Sequence, residues 1–146
     1  HALAGGYRLS GDAASDDVTL VGVGAIVPEV IEAAETLRAN GINAGVIVLT
    51  SPDLVYRSFD TRGRVAASGE GSIVDVLFPA EYKAPIVSVQ DGHPHTLSFL
   101  GAIRGDRSIN LGVRDFGQSS DLADAYAIHG IDTSSIVDAA LTLTGR

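Results

Sequence analysis

Four stretches of the chain are apolar and rich in β-branched residues without alternating between apolar and polar. They are Val18-Thr19-Leu20-Val21, Ala44-Gly45-Val46-Ile47-Val48-Leu49, Ile86-Val87-Ser88-Val89 and Ile109-Asn110-Leu111-Gly112-Val113. A strand with one wet face alternates, whereas a strand that reads as a continuous apolar run is covered on both faces. Strands of that kind pair in parallel, and parallel neighbours need a crossover long enough to hold a helix. The spacing of these runs provides such crossovers.

The clearest crossover follows the first run. Gly22-Val23-Gly24-Ala25 turns the chain, and Pro28 stands where a first helical turn tolerates proline. Val30, Ile31, Ala34 and Leu37 then recur at helical spacing, with Glu29, Glu32, Glu35 and Arg38 on the opposite face. Asn40-Gly41 ends the helix and leads into the second run, which makes a βαβ unit with a right-handed crossover. Further on, short helices are expected over residues 53–59 and 72–78, and a buried helix over 95–103 closed by Gly105. Two last helices are expected around Leu122, Ala125 and Tyr126 and around Ile136, Val137, Ala140 and Leu141, the latter capped by Asp132-Thr133-Ser134. The fold class that results is α/β: an open, mostly parallel sheet with helices on both faces.

With 146 residues the chain is one domain, spanning 1–146 with a leading segment over 1–16. It contains no Cys, which excludes disulfide scaffolds, thiolate zinc sites and thiol nucleophiles. A net charge of −8 argues against nucleic acid and anionic membrane as partners. The longest nearly pure apolar run, residues 18–27, is too short to span a bilayer and does not lie where a signal peptide would. The expected location is the cytoplasm. The absence of any Met suggests a piece of a longer chain.

Three groups of residues could carry chemistry. Gly22 and Gly24, between a strand and a helix, invite a dinucleotide reading, but Val27 stands where the fingerprint needs a small residue. No acid closes the second strand either, so a tight strand-to-helix turn is the plainer account. Asp91-Gly92-His93-Pro94-His95 follows the third strand. Asp91, His93 and His95 could hold a metal or do acid–base work, though Pro94 restricts how the imidazoles converge, and a structural or partner-binding loop is the preferred reading. Arg57, Arg62 and Arg64 cluster beside Asp60, either as a solvated, mutually paired loop or as an anion clamp. No nucleophile elbow is present and no catalytic residue or metal ligand is assigned.

Several stretches in order resemble the C-terminal domain of transketolase and its thiamine diphosphate-dependent relatives. They are Gly5-Gly6-Tyr7-Arg8-Leu9, the segment from Val18 to Gly24 with its helix, Val46-Ile47-Val48-Leu49-Thr50-Ser51, and Ile128-His129-Gly130-Ile131-Asp132 with the helix after it. The most specific is Leu111-Gly112-Val113-Arg114-Asp115-Phe116-Gly117-Gln118-Ser119. The similarity extends to the homodimeric pyruvate dehydrogenase first component, towards which Gly-Gly-Tyr-Arg-Leu and Thr50-Ser51 lean. The resemblance implies an antiparallel edge strand, for which Tyr7-Arg8-Leu9 is the candidate. It also implies a domain that binds no cofactor itself, in an enzyme that uses thiamine diphosphate and Mg2+. Such a domain supports a homodimer, packs on the other domains of its chain, and in some relatives meets an acyltransferase core. A small anionic-ligand-binding or regulatory module, built on the Gly22–Gly24 turn and the arginine cluster, is the alternative.

Overall fold

The structure, a computed structural model, describes residues 2–61, 71–115 and 121–146. Five strands, β1 (Gly6–Ser10), β2 (Val18–Val23), β3 (Ala44–Leu49), β4 (Ile86–Gln90) and β5 (Ser108–Leu111), form one sheet in the order β1-β3-β2-β4-β5. β2 pairs in parallel with β3 and β4, and β4 pairs in parallel with β5. β1 runs antiparallel along the outer side of β3, so the edge strand expected around Tyr7 is present and one residue longer at each end.

Side chains of the inner strands alternate between two apolar layers, not between core and water. Val18 and Leu20 of β2, with Val87 and Val89 of β4, enter the layer under α1 (Val27–Ala39) and α5 (Thr133–Thr144). Val21, Ile47, Leu49 and Ile86 enter the opposite layer, under α2 (Pro52–Thr61), α3 (Ile73–Leu77) and the 3-10 stretch Pro94–Ala102. Two covered faces are what unbroken apolar runs require. α4 (Leu122–His129) is different: it buries none of its residues and ends on Gly130 in the left-handed region.

Two expectations change. β5 stops at Leu111 and is half-buried throughout. It is an outer strand with a single neighbour, and beyond Leu111 the backbone leaves it to meet another loop. The segment expected as a buried helix over 95–103 is 3-10. Its buried residues explain why: Pro94, Leu97, Leu100 and Ile103 recur every three positions, which in a 3-10 helix places them in one row. Tyr56 and Phe59 of α2 pack on Phe99 of this stretch, with ring centroids 5.2 and 5.8 Å apart.

Polar anchors hold the ends of the sheet. Arg8 of β1 pairs with Asp16 at 2.6 Å, and Gly45 has no room for a Cβ because Asp16 occupies that space. Burial pushes the Asp16 carboxyl above its ordinary range, and Arg8 opposes the shift. At the amino end of β4, Arg104 donates to Asp106 at 2.5 Å, to the carbonyl of Ala84 at 3.0 Å and to the carbonyl of Tyr82, and lies over the Phe78 ring. The side chains of Arg104 and Asp106 are only 3% and 4% exposed. Removing one member of a buried pair leaves the other charge without compensation. Arg104→Met is therefore expected to lower stability by about 3–5 kcal/mol in urea unfolding. A loss below ~1 kcal/mol would show that the pair contributes no more than a surface contact.

Candidate functional site

Open α/β sheets present their functional loops at the carboxyl ends of the parallel strands. In this protein that edge carries the turn after β2, the start of α2 after β3, the loop after β4 and the residues after β5.

The turn after β2 is built for packing. A Cβ on Gly22 would stand 3.0 Å from Val30 and 3.3 Å from Val27, so the bare glycine lets α1 lie close on the sheet. Gly24 has φ +68°, a left-handed conformation that glycine adopts without strain. The helix start that follows is poorly suited to a phosphate, because Pro28 lacks an N–H and Glu29 brings a negative charge into the first turn. This is the tight turn of the plainer reading.

The loop after β4 is held by backbone contacts of unusual closeness. The buried side chain of Gln90 donates to the carbonyl of His93 at 2.5 Å, and the amide of Val113 donates to the carbonyl of Gly92 at 2.9 Å. Gly112 makes this meeting possible, since a Cβ there would stand 2.4 Å from the Gly92 oxygen and 2.9 Å from Pro94. Pro94 is buried as the first residue of the 3-10 stretch, and His93 caps that stretch by accepting the His95 amide at Nδ1.

The local restriction at Pro94 does not keep the imidazoles apart; they meet. Nδ1 of His93 and Nδ1 of His95 are 2.7 Å apart, with the rings edge-on. The 3-10 turn brings its second residue back over its cap, so the proline that restricts the backbone starts the turn that joins the rings. Asp91 lies away from them on the Gly24 side, its carboxylate 3.8 Å from where a Gly24 Cβ would be. Among the described residues no three His, Asp or Glu side chains gather in a way that could hold a metal ion.

His93 and His95 line a shallow cleft of about 300 Å3 together with Ser98, Ile109, Asn110 and Arg114. Sequence reasoning names Arg114 only within the family-like stretch from Leu111 to Ser119 and gives Ser98, Asn110 and Arg114 no site role. Their signal is positional: Asn110 is a polar residue in an apolar strand, and Arg114 stands three residues past its end. A larger cleft of about 550 Å3 lies between α1, α4 and α5 and is acidic, with Glu29, Glu32, Asp132 and Asp138. Several of these carboxylates serve the start of α5. Glu29 accepts the amide and hydroxyl of Thr133 at 3.1 and 2.6 Å, and Asp132 accepts the hydroxyls of Ser134 and Ser135. Burial pushes the Asp132 carboxyl upward, but the serine hydroxyls and backbone outweigh it and hold the group below its ordinary value.

Of the arginine cluster, Arg57 is exposed on α2 and pairs with Asp53 one turn earlier at 3.0 Å, so it is solvated and locally paired. Arg62 and Arg64 lie outside the described residues. Among the described residues no helix is long and apolar enough to cross a membrane.

The fold and the sequence lead to one family. The model of the transketolase-like TK C-terminal domain matches residues 5–132. The chain belongs to that family. Solved transketolases share the fold of this transketolase-like domain. Those of Campylobacter jejuni and Leishmania mexicana superpose with TM-scores of 0.67 and 0.67 at 20% and 21% identity, covering 94% and 97% of this chain and 18% of each of theirs. A split-gene transketolase, described as an inactive beta4 tetramer, superposes with a TM-score of 0.64 at 17% identity, covering 97% of this chain and 43% of its own. The chain thus spans about a fifth of the length of the first two. Comparison with curated protein sequences returns no significant match.

The transketolase-like domain depends at this edge on Gly112. Gly112→Ala should cost about 1–3 kcal/mol through the forced separation of the two loops, read as a lower urea midpoint together with NMR spectra in which the His93 and His95 rings stand apart. An unchanged midpoint, with the two rings still together, would contradict the packing described.

Proposed function

We propose that this chain is the assembly and support domain of a thiamine diphosphate-dependent enzyme of transketolase or pyruvate dehydrogenase first-component type. Domains beyond these 146 residues would then hold the cofactor and catalytic groups. The observation that carries the reading is the family match joined to a carboxyl edge at whose centre polar groups close their own loops. Gln90 and Gly92 bind their own loops, the glycine turn serves helix packing, and the acids between α1 and α5 serve Thr133, Ser134 and Ser135.

The residues around the Gly22–Gly24 turn do not fit thiamine diphosphate. Mg2+ bound to a diphosphate takes one or two carboxylates with phosphate oxygens and water, and the diphosphate needs donors. Beside the Gly22–Gly24 turn lies the Asp91 carboxylate, and the first turn of α1 brings Pro28, which has no N–H, and the acid Glu29. Catalysis through the thiamine carbanion therefore belongs to other domains in this reading.

The centre of the carboxyl edge, with Gly24, Asp91 and the backbone of Gly92, is the proposed contact with the neighbouring domain. It is fairly rigid and mixed in polarity, as a domain contact within one chain requires. The split-gene transketolase supports an assembly role, because a chain carrying this fold is described there as a tetramer without activity. We infer a homodimer and a cytoplasmic location for the whole enzyme. In a pyruvate dehydrogenase, which Gly5-Gly6-Tyr7-Arg8-Leu9 and Thr50-Ser51 favour, an acyltransferase core is a further partner.

Calorimetric titration of this chain with thiamine diphosphate and Mg2+ tests the division of labour. The expected result is no saturable heat. Saturable binding at about micromolar Kd, roughly −8 kcal/mol, would place cofactor binding on this domain and overturn the proposal.

A further inference from the structure

The cleft beside β5 is chemically unlike the rest of this acidic chain. Its lining holds His93, His95, Ser98, Asn110 and Arg114 and no carboxylate, although acids outnumber Lys and Arg by 18 to 10 in the sequence. Among the described residues Arg114 has no ion-pair partner, whereas Arg8, Arg57 and Arg104 are each paired with an aspartate.

The hydrogen-bond pattern fixes what each group offers. Nδ1 of His93 accepts the His95 amide at 3.3 Å and faces Nδ1 of His95 at 2.7 Å. An acceptor of a backbone N–H carries a lone pair, so the proton between the rings sits on His95. With its lone pair at Nδ1, the neutral His93 ring carries its proton at Nε2 and offers that N–H as a donor. Across the cleft, the Ser88 hydroxyl donates to Oδ1 of Asn110 at 2.7 Å. With its oxygen committed, Asn110 presents its NH2 group. The Ser98 hydroxyl donates to the carbonyl of His95 at 2.7 Å and fixes the backbone beneath the ring. The cleft therefore offers a guanidinium, an imidazole N–H and an amide NH2 group.

We propose that this cleft binds a small oxyanion, the phosphate or carboxylate group of a small molecule, between Arg114 and His93 with Asn110 as a second neutral donor. A guanidinium matches either anion with two parallel hydrogen bonds. About 300 Å3 accommodates such a group with a short substituent. The site lies on the β5 flank, and Asp91 faces the Gly24 side. The inference thus goes beyond the assembly role and does not depend on it.

The test is titration of the 146-residue chain with inorganic phosphate and, separately, with acetate, followed by NMR of the histidine ring nitrogens and by melting temperature. At least one anion should shift the His93 ring resonances saturably, with half-saturation at ~1 mM or below. Binding about tenfold tighter for phosphate than for acetate assigns a phosphate group, and the reverse order assigns a carboxylate. Arg114→Gln and His93→Leu should each weaken binding about fivefold or more while leaving the circular dichroism spectrum unchanged. The proposal is overturned if neither anion saturates, or if both variants bind as the parent does.

Discussion

The parallel pairing of β2 with β3 on one side and β4 on the other organises the molecule. Every residue of β2 before Val23 is buried, and its side chains serve two apolar layers at once. A strand in that position can supply no polar side chain to a site. The chemistry of the domain is therefore pushed to the loops at the strand ends, and the fold decides only which loops become neighbours. It brings the loop after β4 against the end of β5, and through Gly112 it brings their backbones into contact.

The same constraint explains why the domain looks poor in machinery. Its polar groups are largely engaged in closing loops over the layers: Arg104 ties two loops at the amino end of β4, Arg8 fastens the edge strand through Asp16, and Glu29 joins α1 to the start of α5. Each contact holds an element that the hydrophobic layers alone would leave free to slide. α4, with no buried residue and with Leu122 and Ile128 exposed, is the element least supported by its own domain.

Much of this was legible in the sequence because burial on both faces leaves a strong compositional mark. The apolar runs match the bounds of β3 without error and those of β2 and β4 to within two residues. Legibility failed where a local rule competed with a tertiary one. The spacing of Pro94, Leu97, Leu100 and Ile103 by threes marks a 3-10 row, yet its apolar content resembles a buried α-helix. Taken locally, Pro94 argues against converging histidines; only the turn that it begins reverses that argument. Arg114 and Asn110 approach His95 only through the pairing of β4 with β5, a relation between residues about fifteen or more apart in sequence that no local pattern encodes. Glu29 resembles part of a solvated helix face because its partner Thr133 lies 104 residues away.

The proposed place of this domain in a larger enzyme makes the centre of its carboxyl edge a buried contact in the assembly and an exposed one when the chain stands alone. Hydrogen exchange of these residues, compared between the isolated chain and the enzyme that carries it, reads that difference directly. Slower exchange in the assembled enzyme is predicted at residues 24–26 and 91–93, with β2 equally protected in both. Equal exchange at those loops, or new protection confined to other surfaces, would contradict the account.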